Sequence, residues 1–91
     1  MYGITFDIKH QELNKDEREL LLSSIDRILT FHGLMHDNEY TYMLFGKQNP
    51  MSEIYKAIKE LSDDEFIASK IKRLVVLNIA DYSDLTDYIK N

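Results

Sequence analysis

The chain has no cysteine, one proline and three glycines in 91 residues, and its eleven Lys and Arg are outnumbered by sixteen acids. Without cysteine there is no disulfide, no thiolate metal site and no cysteine nucleophile, which suits a reducing cytoplasm. Few breakers beside 44% hydrophobic residues exclude a disordered or low-complexity chain and predict a single domain over residues 1–91. No apolar run is long enough to span a bilayer and the N-terminus carries no basic, apolar leader, so a soluble cytoplasmic protein without a membrane partner is expected. A net charge of −5 excludes a generally basic surface, so any nucleic-acid contact must be local. A domain this small buries a modest share of its surface, which makes pairing of two copies through an open sheet face an expected source of further burial.

What the chain does have begins with Tyr2-Gly-Ile-Thr-Phe-Asp-Ile-Lys9. Tyr2, Ile4, Phe6 and Ile8 alternate with Gly3, Thr5, Asp7 and Lys9, the pattern of a strand with one covered side. An acid in such a strand must find a partner, reach solvent or do chemistry, because an unpaired buried carboxylate is too costly to keep ionised. Asp7 is the first candidate site residue, with a hydrogen bond to a nearby loop as its structural alternative.

Asn14-Lys-Asp-Glu17 has the form of a capping box, and Leu21, Leu22, Ile25, Ile28 and Leu29 trace one apolar stripe before Gly33, predicting a helix over about 15–32. His32 at its end is read as a cap favoured by the helix dipole. Residues 34–38 and 40–45 predict two strands joined by a turn at Asp37-Asn38-Glu39. Adjacent His36 and Asp37 would point to opposite faces and do not make a metal pair. Asn49 and Pro50 predict the start of a second helix over about 50–61, with Met51, Ile54, Tyr55, Ile58 and Leu61 inward. Ser62 is read as the cap of a further short turn carrying Phe66 and Ile67. The consecutive acids Asp63, Asp64 and Glu65 suit a helix start better than one metal ion. Residues 71–80, with the run Leu74-Val-Val-Leu77, predict a strand partly covered on both faces, and 81–91 a short C-terminal helix or a strand donated to a neighbour.

The order strand, helix, strand, strand, helix, strand predicts an α+β, ferredoxin-like βαββαβ domain. Its four-stranded antiparallel sheet would have the first and third strands in the centre and both main helices on one face, leaving Gly3, Thr5 and Asp7 on the other. Two copies packed there about a dyad would bring their Asp7 side chains together, an arrangement that can hold Mg²⁺ or share a proton.

Three stretches carry a resemblance: Met1-Tyr-Gly-Ile-Thr-Phe-Asp-Ile8, Tyr55-Lys-Ala-Ile-Lys-Glu-Leu-Ser62 and Asp81-Tyr-Ser-Asp-Leu-Thr-Asp-Tyr-Ile-Lys90. In this order, and over nearly the whole chain, they resemble the virulence-associated protein D (VapD) family, which is related to the small CRISPR adaptation proteins. The resemblance implies a homodimeric endoribonuclease, in some operons the toxin of a toxin and antitoxin pair. Asp7 matches the family's strand-one aspartate and Tyr42 a tyrosine of the third strand. Glu39-Tyr40 stands where the family usually has Gly-Ser, and Lys70-Ile-Lys-Arg73 where it often has Ser-Val-Arg-Asp.

Two functions are compatible with these readings. In the first, the chain cleaves RNA: Asp7 acts as base or as ligand to Mg²⁺, Tyr42 orients the phosphate, and Lys72 or Arg73, with Lys9 and Lys70 nearby, offset its charge. In the second, a non-cutting dimer binds duplex DNA or protein, as an adaptor in a CRISPR integrase complex would. An antitoxin is the expected protein partner of the first, and a CRISPR integrase of the second.

Overall fold

The computed structural model describes residues 1–46 and 48–79, so Lys47 and the C-terminal helix expected beyond residue 80 lie outside the described residues. The elements are β1 (Tyr2–Ile8), a 3-10 turn (His10–Glu12), α1 (Lys15–Phe31), β2 (Met35–Asn38), β3 (Thr41–Leu44), α2 (Pro50–Asp63), α3 (Glu65–Lys70) and β4 (Ile71–Asn78). The strands form one sheet in the order β2-β3-β1-β4, every neighbouring pair antiparallel. This is the expected ferredoxin-like plan, with β1 and β3 central. No helix among the described residues is long and apolar enough to cross a membrane.

The alternation of β1 decides which face is covered. Ile4, Phe6 and Ile8 enter one core with Leu21, Ile25, Ile28 and Leu29 of α1 and Ile54, Ala57 and Leu61 of α2, so both main helices lie on that face. Ile4 pairs with Tyr42 and Val76, and these side chains join the same layer. Gly3, Thr5 and Asp7 face the other way, beside Met43, Thr41, Leu77, Val75 and Arg73. Gly3 is required by this packing: a Cβ there would come within 2.5 Å of Met43 Sδ and 2.7 Å of the Tyr42 carbonyl oxygen.

α1 begins and ends as its sequence dictates. Asn14 accepts from Glu17 N–H, the Glu17 side chain accepts from Asn14 N–H, and Gly33 at φ 86° lets Leu34 N–H return to Leu29 O. His32 does more than end the helix, because its ring nitrogens lie 3.4 Å from Glu53 and 2.9 Å from Glu60 and join α1 to α2.

Several local expectations are corrected. Tyr55 is exposed, since one residue beyond Ile54 lies about a quarter-turn from the inward stripe, and Ala57 fills the inward position. Asn49 makes no side-chain cap bond, and α2 runs through Ser62 to Asp63. The cap of α3 is Asp64, which accepts from Ile67 N–H.

The sheet slips in register at two places. Asp7 pairs with Arg73 but Ile8 pairs with Ile71, so Lys72 is an extra residue in β4. His36 pairs with Tyr42 but Asn38 pairs with Thr41, so Asp37 is an extra residue in β2.

Candidate active site

Asp7 stands near the end of β1, where the ladder with β4 slips. Its Oδ1 accepts from Ile8 N–H at 2.9 Å, and about half of its side chain is exposed. The hydrogen bond is to the next residue of the same strand and not to a loop, and the carboxylate remains open to solvent. Two clefts meet at Asp7. One, of about 450 Å³, is lined by Asp7, Lys9, His10, Glu12 and Lys72 among others; the second, of about 290 Å³, by Thr5, Phe6, Asp7, Arg73 and Val75.

The slip explains how two successive basic residues both serve this place. In a regular strand Lys72 and Arg73 would point to opposite faces, and Lys72 would turn toward the helices. As the extra residue of β4, Lys72 is exposed and lines the larger cleft, while Arg73 stands across the ladder from Asp7. Lys9 N–H donates to Lys70 O and extends the contact between β1 and the start of β4. Lys70 is otherwise committed, its Nζ donating to Glu12 at 3.1 Å.

His10 was not among the residues the sequence singled out. The chain leaves β1 into a 3-10 turn, closed by Glu12 N–H to Lys9 O and Leu13 N–H to His10 O, and buried Leu13 anchors its end. This brings His10 Nε2 to 3.8 Å from Asp7 Oδ1. The hydroxyl of Tyr40 lies 3.5 Å from the same nitrogen, and the two rings meet edge to face at 5.9 Å. The available signal was a histidine three residues after a strand-end acid, followed by an apolar anchor at Leu13.

Tyr40 carries its hydroxyl on a long, aromatic arm. Burial first, and then the neighbouring Glu39 carboxylate, push its phenol above the ordinary tyrosine range. Arg73 places a cation opposite Asp7.

Within one chain Tyr42 is not brought to Asp7. It is buried on the helix-covered side, its hydroxyl donates to Asp26 of α1 at 2.5 Å, and its ring stacks on Phe6. Burial and then the Asp26 carboxylate hold its phenol well above the ordinary range. His36 lies over the same ring, at 4.9 Å between centroids.

The residues around Asp7 do not make a metal centre from a single chain. Glu12 is paired with Lys70, and the cleft wall otherwise brings cations to Asp7. Among the described residues no three acids or histidines converge on one point; Asp63 pairs with Lys59 while Asp64 caps α3. One carboxylate among cations suits a phosphodiester better than Mg²⁺.

No family model matches the chain. Among curated proteins it is similar to the Endoribonuclease VapD of Helicobacter pylori (strain ATCC 700392 / 26695), at 28% identity over 94 residues that cover all of both chains. The likeness runs from end to end and relates the chain to the family its three sequence stretches resemble.

Proposed function

From this whole-length relation to VapD, we propose that the chain is an endoribonuclease that cuts RNA at the cleft around Asp7 and works as a homodimer. The observation that carries the reading is the half-exposed Asp7 carboxylate at the junction of two clefts, with Lys9, His10, Lys72 and Arg73 beside it. Cleavage of a phosphodiester needs a proton acceptor for the nucleophile and positive charge for the phosphorane that forms. Asp7 and its neighbour His10 supply the first, and Lys72 and Arg73 the second. The face that carries Asp7 also holds half-buried Val75 and Leu77, whose further covering favours pairing of two copies there. In a toxin role, an antitoxin would inhibit by covering the same cleft.

The test is incubation of purified protein with mixed RNA, with and without Mg²⁺. Wild type should cleave, and Asp7→Ala should be strongly impaired. Equal cleavage by both proteins would assign the activity to a contaminant and sink the proposal. The second reading, a non-cutting adaptor dimer, is favoured by one feature, Arg73 in the place of a second acid. It predicts RNA left intact and duplex DNA bound with an affinity that falls as salt rises.

A further inference from the structure

Resting on the ribonuclease reading, we propose that His10 is the proton acceptor in a cleavage that uses the RNA's own 2′-hydroxyl as nucleophile and needs no bound metal ion. His10 is 45% exposed at its side chain and lines the larger cleft, so a substrate can reach it. Asp7 Oδ1 at 3.8 Å and the Tyr40 hydroxyl at 3.5 Å both face Nε2. An anion beside Nε2 favours the proton on that nitrogen, which leaves the lone pair on Nδ1. The Tyr40 ring, set at 90° to the imidazole, limits its rotation. Lys9 and Lys72 line the same cleft and would hold the bridging phosphate next to that lone pair. Asp7 is then a positioning residue that also stabilises the imidazolium as it forms.

The reaction balances without a co-reactant. His10 Nδ1 takes the proton of the 2′-hydroxyl, the 2′-oxygen bonds to phosphorus, and the bond from phosphorus to the 5′-oxygen breaks. The departing 5′-oxygen takes a proton from water, and the hydroxide so formed takes the proton held on His10. The products carry a 2′,3′-cyclic phosphate and a 5′-hydroxyl.

The experiment compares one oligoribonucleotide with its all-deoxy counterpart, in EDTA and in Mg²⁺, using the full chain and reading product ends by mass spectrometry. Expected are cyclic phosphate ends, similar rates in both buffers and intact DNA. His10→Ala and His10→Gln, each checked for folding by circular dichroism, should both cleave at least about a hundredfold more slowly. Added imidazole should restore part of the His10→Ala rate. In Asp7→Asn kcat should fall while KM stays near the wild-type value, a split that a merely structural Asp7 would not cause. Cleavage confined to Mg²⁺, 5′-phosphate ends, cut DNA or fully active His10 variants would overturn the His10 assignment and leave the ribonuclease reading standing. Absence of RNA cleavage in both buffers overturns both.

Discussion

The phenol of Tyr42 donates to the Asp26 carboxylate across 2.5 Å and ties the central strand β3 to α1, on the side of the sheet away from Asp7. Tyr42→Phe removes this bond but keeps the ring packed on Phe6. Because Asp26 is only half-buried and can turn to water, the expected loss of stability is about 1 kcal/mol. Urea unfolding measures it. RNA cleavage per folded molecule should stay within a few-fold of wild type, and a much larger loss would restore Tyr42 to the reacting centre.

Burial of the Tyr42 phenol, and then its bond to Asp26, set an alkaline limit. Tyr42 stays protonated in the folded chain above the pH at which an ordinary tyrosine, at 10.0, ionises once unfolded. Its contribution is fully present below that pH and is lost as pH rises toward the higher folded value, because the unfolded state there binds fewer protons. Urea midpoints taken on both sides of pH 10.0 should fall more steeply in wild type than in Tyr42→Phe. Parallel curves for the two proteins would contradict the stated cause.

Asp7→Asn separates activity from stability. The side chain is about half exposed and its hydrogen bond to Ile8 N–H can be kept by the amide oxygen, so the urea midpoint should move by no more than about 0.5 kcal/mol equivalent. RNA cleavage should fall by about two to four orders of magnitude. An unfolded variant would show instead that Asp7 holds the end of the strand.

Lys72→Ala and Arg73→Ala should weaken RNA binding while leaving the fold intact, since both side chains are exposed. If each neutralises one phosphate of a single strand, the slope of log affinity against log salt should decrease by about 0.7 for each substitution. Binding titrations at several salt concentrations check this. An unchanged slope would remove that residue from the phosphate path.

Gly3→Ala should destabilise by about 1–3 kcal/mol, because its Cβ would meet the Tyr42 carbonyl oxygen, a backbone atom that cannot rotate away. Thermal or urea unfolding would show it. A neutral result would mean that β1 and β3 can separate locally.

The sequence made the fold legible because its strong signals were periodic and local. The alternation from Tyr2 to Ile8 separated covered from open face, and the capping box at Asn14 with Gly33 bounded α1. The open-face position of Asp7 was legible from the same alternation. His10 was not, because its approach depends on a three-residue 3-10 turn with no periodicity of its own. Tyr42 was drawn toward Asp7 by analogy, whereas strand register alone puts it on the face of Ile4. The approach of the Tyr40 phenol to His10 was not legible either, because it depends on the turn between β2 and β3. Tyr55 was misplaced because a stripe counted from aromatic and aliphatic residues passed over small Ala57.

The extra residue in β4 bears on how such a chain could change over time. Because Lys72 has no opposite number on β1, a deletion of that one codon would leave the pairs from Tyr2 to Asp7 in place and let the strand close regularly behind them. Loss of a cation from the cleft would then need no repacking of the helices, and an insertion at the same point could restore it. A lineage could thus remove or restore the charge of this cleft by a length change at a single site while the domain beneath it went on folding.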